Sequence, residues 1–96
     1  MSYGVENALF QWEEGERRLR EADPGERARR LAEAERVLER LRQKLGSEFS
    51  VQELSDLYAR EPDWSPVPSW VVDAAFARYA RHASDFGGGR RQASIR

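Results

Sequence analysis

His82, Ser84 and Asp85 supply the side-chain types of a nucleophilic triad, close together near the C-terminus. Their spacing does not assemble one. On a helix His82 and Asp85 face each other, whereas Ser84, two positions from His82, points elsewhere. The plainer reading is a helix-end histidine paired with Asp85. His82 is the single histidine, and cysteine is absent. Histidine-pair metal motifs, thiolate zinc sites, iron–sulfur ligation and disulfides are therefore excluded. Glu35 and Glu39 stand one helical turn apart and could hold a hard cation, but the arginines around them read as the solvated face of a charged helix. Gly87-Gly88-Gly89-Arg90 lacks the Lys-Ser/Thr ending and following helix of a phosphate loop, and reads as a linker. No catalytic, cofactor-binding or metal-binding residue is assigned, and the chain is read as a non-enzyme.

Two patterns suit binding rather than catalysis. Residues 78–96 carry five arginines and one acid, on a chain whose net charge is only -1. Arg78, Arg81, Arg90, Arg91 and Arg96 could contact phosphates. Arginine at a helix end also complements the helix dipole, and a nucleic-acid footprint usually comes with a strongly basic domain. The second pattern is Trp64-Ser65-Pro66-Val67-Pro68-Ser69-Trp70, two tryptophans flanking a stiff extended segment. It is either a loop folded over the core, each indole N–H finding a partner, or an aromatic patch that docks a partner. Phe10 is a further candidate for the exposed surface. The partner-binding site assigned is Trp64, Trp70, Arg78 and Arg81. The alternative is direct nucleic-acid binding through Arg78, Arg81, Arg90, Arg91 and Arg96.

These residues must be held by helices, because β-type alternation is absent and helix signals are dense. Val5, Trp12 and Leu19 recur every seven residues. Ala8, Gly15 and Ala22 form a second, small-residue row. Such a stripe lets another helix approach closely, with Trp12 as anchor. This first helix spans about residues 4–21. Asp23-Pro24-Gly25-Glu26 then caps a second helix, which runs to about Leu45 and stops at Gly46. Leu31, Ala34, Leu38, Leu41 and Leu45 make a narrow 3-4 seam along it. The short link makes the two an antiparallel hairpin. Ser50 and Glu53 form a capping box, with Phe49 and Leu54 as its hydrophobic staple, and open a third helix to about Arg60. A fourth spans about residues 69–85. The proline-rich gap between the third and fourth helices is too long for a helix-turn-helix.

Within residues 72–88, the run Val72-Asp73-Ala74-Ala75-Phe76-Ala77-Arg78-Tyr79-Ala80-Arg81, together with Asp85-Phe86-Gly87-Gly88, resembles the C-terminal end of small conserved proteins of high-GC actinobacteria. The Phe49–Tyr58 stretch is similar to the part preceding it. The resemblance covers about half the chain. It implies a source and carries no activity, ligand or site residue.

The expected architecture is all-α. A long antiparallel two-helix hairpin packs with two shorter helices in one domain, residues 1–86, followed by a disordered Gly/Arg-rich tail, residues 87–96. Trp12, Leu31, Leu38, Leu41, Leu54, Leu57, Phe76 and Tyr79 are the expected core. The expected function is a helical interaction or regulatory module docking on a larger protein or nucleoprotein assembly. No secretory signal or membrane span is read, so the expected location is cytoplasmic. A second copy of the chain could also complete the hairpin seam.

Overall fold

The computed structural model describes residues 3–61 and 63–85. The expected tail, with Arg90, Arg91 and Arg96, lies outside the described residues. Four helices form in order: α1 (Tyr3–Glu21), α2 (Pro24–Leu45), α3 (Val51–Arg60) and α4 (Ser69–Ala80). No strand occurs among the described residues.

Local chemistry sets most of the boundaries. The Asp23 side chain accepts from the Glu26 N–H at 2.9 Å, and Pro24 occupies the first helical position of α2. Arg27 reaches back across the turn. Its guanidinium donates to the carbonyls of Ala22 at 2.7 Å and Arg20 at 3.0 Å. One carbonyl lies in the last turn of α1 and the other just past it, where helix-end carbonyls lack intrahelical partners and a cation also meets the negative end of the dipole. Gly46 closes α2 with a φ of 75°, a left-handed conformation that glycine adopts without a Cβ penalty. The capping box of α3 is complete: Ser50 Oγ accepts from the Glu53 N–H, and the Glu53 carboxylate accepts from the Ser50 N–H.

α1 and α2 form the hairpin, and α4 packs on both. The α1–α4 interface is the largest in the molecule, and direct contact between the hairpin arms is slight. Gly15 is the reason α4 comes so close. A Cβ built there would stand 2.5 Å from the Trp70 carbonyl oxygen, 2.6 Å from the Asp73 Cβ and 2.8 Å from the Ala74 nitrogen. α4 answers with its own small side chains, and Ala74, Ala75, Ala77 and Ala80 are all buried.

Phe76 sits at the centre of the aromatic core. Its ring centroid lies 5.3 Å from that of Trp12, 5.1 Å from Tyr58 and 5.6 Å from Trp64. Leu41, Leu54 and Leu57 are buried as the spacing predicts, and so is Tyr79, stacked on Phe49 at 4.7 Å. The α2 seam is corrected: Ala34, Val37 and Leu41 face inward, while Leu38 is half-buried at its edge and Leu31 is half-buried outside it. A 3-4 seam presumes a coiled partner of similar length. Here the partner is α4, shorter and alanine-rich, and Val37 rather than Leu38 turns toward the core.

The end of α4 is also corrected. The helix stops at Ala80, and residues 81–83 turn through tighter bonds, including His82 N–H to the Tyr79 carbonyl at 2.9 Å and Ala83 N–H to the Ala80 carbonyl at 3.0 Å. Acceptors and donors elsewhere in the fold draw the chain away. Ser84 donates through its N–H and its Oγ to the Phe49 carbonyl, at 2.9 and 3.1 Å. Asp85 accepts the Val51 N–H at 2.8 Å and so caps the N-terminus of α3. Asp85 therefore serves α3 rather than His82, which is exposed with its ring edge-on to Tyr79.

Candidate functional site

The connection from α3 to α4 is held at Glu61 and by a local turn at Asp63. Glu61, just past α3, receives Arg40 at 3.2 Å and Lys44 at 2.8 Å from α2. The Lys44 hydrogen bond and charge hold the Glu61 carboxyl below its ordinary value. Asp63 then accepts from both the N–H and the Oγ of Ser65, at 3.1 and 2.7 Å, forming a tight local turn. Those bonds hold the Asp63 carboxyl low as well. The Ser65–Pro66 peptide is cis.

This turn folds Trp64 inward. Its indole is 6% exposed, against Phe76 on one side, with the Arg40 guanidinium 4.7 Å from the ring centroid. Trp70 is half-buried at the other end of the segment, with Arg18 at 4.5 Å and Arg30 at 5.7 Å from its ring centroid. Each tryptophan thus carries an arginine on its ring. The N–H groups do not all find partners: the buried Nε1 atoms of Trp12 and Trp64 are unpaired. The stretch is a loop folded over the core, which composition alone left open.

Beside Trp64 a cleft of about 350 Å³ opens between α3, the connection and α4. Tyr58, Asp63, Trp64, Ser65, Val72 and Asp73 are among its lining residues. Asp73 is half-buried, and its Oδ1 accepts the Tyr58 hydroxyl at 2.7 Å. Burial raises the Asp73 carboxyl above its usual value, only partly offset by that hydrogen bond. Burial, followed by the bond to Asp73, pushes the Tyr58 hydroxyl well up.

Arg78 and Arg81 lie elsewhere and are brought together by Glu16 of α1. The Glu16 side chain is 4% exposed. Arg78 grips it with both a Nε bond at 3.0 Å and a Nη2 bond at 3.3 Å. Arg20 at 3.8 Å and Arg81 at 3.9 Å complete the cluster. The four residues assigned to partner binding therefore fall into separate surroundings: Trp64 at the cleft, Trp70 among α1 and α2 arginines, Arg78 and Arg81 on Glu16. Phe10 is the exposed large hydrophobic residue among those described, at 62%.

The assigned residues omit Tyr58, Asp73 and Glu16. Asp73 did carry a signal, as the one acid inside the otherwise apolar run of α4. No group of three or more potential metal-ligating side chains gathers among the described residues. No helix among them is long and apolar enough to cross a membrane. No family model matches the chain, and neither a curated protein nor a solved structure matches it.

Proposed function

We propose that this chain is a non-enzymatic helical interaction module that docks on a larger protein assembly through the α3–α4 connection. The observation that supports it is the anchoring of Glu61 and of the Asp63–Ser65 turn, which holds Trp64 against the core with a cleft at its side. The cleft volume of about 350 Å³ falls at the lower end of the usual range for binding pockets, enough for one side chain of a partner. Nucleic-acid binding through the C-terminal arginines has weaker support. Arg78 and Arg81 already face a buried carboxylate, and the cleft itself carries two acids. A photo-crosslinking residue at Ser65 tests the reading in native lysate, with one at the exposed Gln43 of α2 as control. A discrete protein adduct formed from position 65 only, and surviving nuclease, is the expected result. Equal adducts from both positions, or adducts lost with nuclease, would refute it.

A further inference from the structure

The fold withdraws two carboxylates from solvent, Glu16 fully and Asp73 by about half, and treats them differently. Glu16 is surrounded by three arginines. Asp73 receives one hydroxyl, and among the described residues no arginine or lysine pairs with it. A carboxylate withdrawn from water without a counter-charge is costly, and folds normally supply the missing partner. Here the space where such a partner would stand is the cleft. Arg40, over the Trp64 ring, is paired with Glu61.

We propose that the cleft beside Trp64 is a receptor for the ammonium group of a lysine side chain presented by a protein partner. Asp73 supplies the charge, with Asp63 at the rim. Tyr58 and Trp64 are among the lining residues, and aromatic walls suit the aliphatic stem of a lysine. One Asp73 oxygen is already engaged by Tyr58, which disfavours the two parallel bonds of a guanidinium and suits a compact point charge. This assignment rests on reading the chain as a docking module and names what the module grips.

The test is a titration of the full chain with N-acetyl-lysine amide, followed by the indole N–H resonances, which separate Trp64 from Trp12 and Trp70. A saturable shift at Trp64 with about millimolar affinity is expected, weakened about tenfold in Asp73→Asn. N-acetyl-norleucine amide, of similar length without the charge, gives no saturable shift, and N-acetyl-arginine amide binds several-fold more weakly. The assignment is overturned if the lysine amide gives no saturable response at Trp64, if the norleucine or arginine amide matches it, or if Asp73→Asn binds undiminished. Comparison of the amides on the unaltered chain decides the matter even if Asp73→Asn fails to fold. A negative titration with specific crosslinks at Ser65 would sink the lysine pocket and spare the docking reading. The reverse outcome would sink the docking reading instead.

Discussion

Gly15→Ala sets two effects against each other inside α1. Alanine is the better helix former, by about 1 kcal/mol. Against this stands the approach of α4, where the new methyl would meet the Trp70 carbonyl oxygen at 2.5 Å, the Asp73 Cβ at 2.6 Å and the Ala74 nitrogen at 2.8 Å. None of these atoms can rotate away, since two are backbone and the third is a Cβ. The whole of α4 must move by the better part of an ångström. Overpacking costs ~1–3 kcal/mol and occasionally more, and three unyielding atoms all closer than 3.0 Å place this site in the upper part of that range, about 2–3 kcal/mol. The steric loss therefore wins, for a net destabilisation of about 1–2 kcal/mol. In a domain this small that lowers the thermal midpoint by roughly 5–15 °C. Thermal unfolding followed by circular dichroism reads it directly. Gly4→Ala is the control on the same helix: its Cβ meets nothing within 4 Å, so only the propensity gain remains and the midpoint holds or rises. The reasoning fails if Gly15→Ala is as stable as Gly4→Ala. Because Asp73 is among the displaced residues, Gly15→Ala should also weaken the lysine-amide response at Trp64.

Other outcomes follow from the same contacts. Asp73→Asn should stabilise the fold at neutral pH and hardly at all in acid. The folded-state carboxyl is raised, so the native chain binds its proton more tightly than the unfolded chain, and stability falls as pH rises from about 4 through the raised value. Chemical denaturation across that window tests the sign. Arg78→Ala leaves Glu16 with only the longer contacts to Arg20 and Arg81. Losing a partner of a buried charge costs ~3–5 kcal/mol, but Arg78 is 37% exposed, so screening and the remaining cations reduce this to about 1–3 kcal/mol. Adding Glu16→Gln to Arg78→Ala should recover part of the loss, which a double-mutant cycle measures. Asp85→Ala should cost about 1 kcal/mol through the lost cap on Val51, and hydrogen exchange at that amide should speed up.

Boundaries written in capping chemistry were legible from the residues alone. Asp23 with Pro24, Gly46, and the Ser50–Glu53 pair each act within a few positions of themselves, and each helix end fell where they stood. The end of α4 was not legible, because its competitors are the backbone of Phe49 and Val51, more than thirty positions away. The same holds for Val37 turning inward in preference to Leu38: the choice belongs to α4, not to α2. At the candidate site, the Trp64–Trp70 stretch declared itself by composition. Tyr58 stands four positions after Leu54, on the apolar face of α3. That its hydroxyl meets Asp73 depends on how α3 and α4 are placed relative to each other, and no local pattern records that. Glu16 stands four positions before Arg20, the spacing of an ordinary solvent-facing ion pair, and only α4 buries it.

The dominance of the α1–α4 interface has a consequence for the order in which the chain acquires its structure. Trp12 rests on Phe76, and Glu16 on Arg78, across more than sixty residues of intervening sequence. Neither arm of the hairpin can bury its apolar stripe against the other, since their direct contact is slight. During synthesis the first two helices therefore wait, incompletely buried, until α4 is made. Helical proteins rich in local contacts close quickly; this one must close its longest loop before its largest interface forms, which places its folding rate below that of an ordinary helical bundle of equal length.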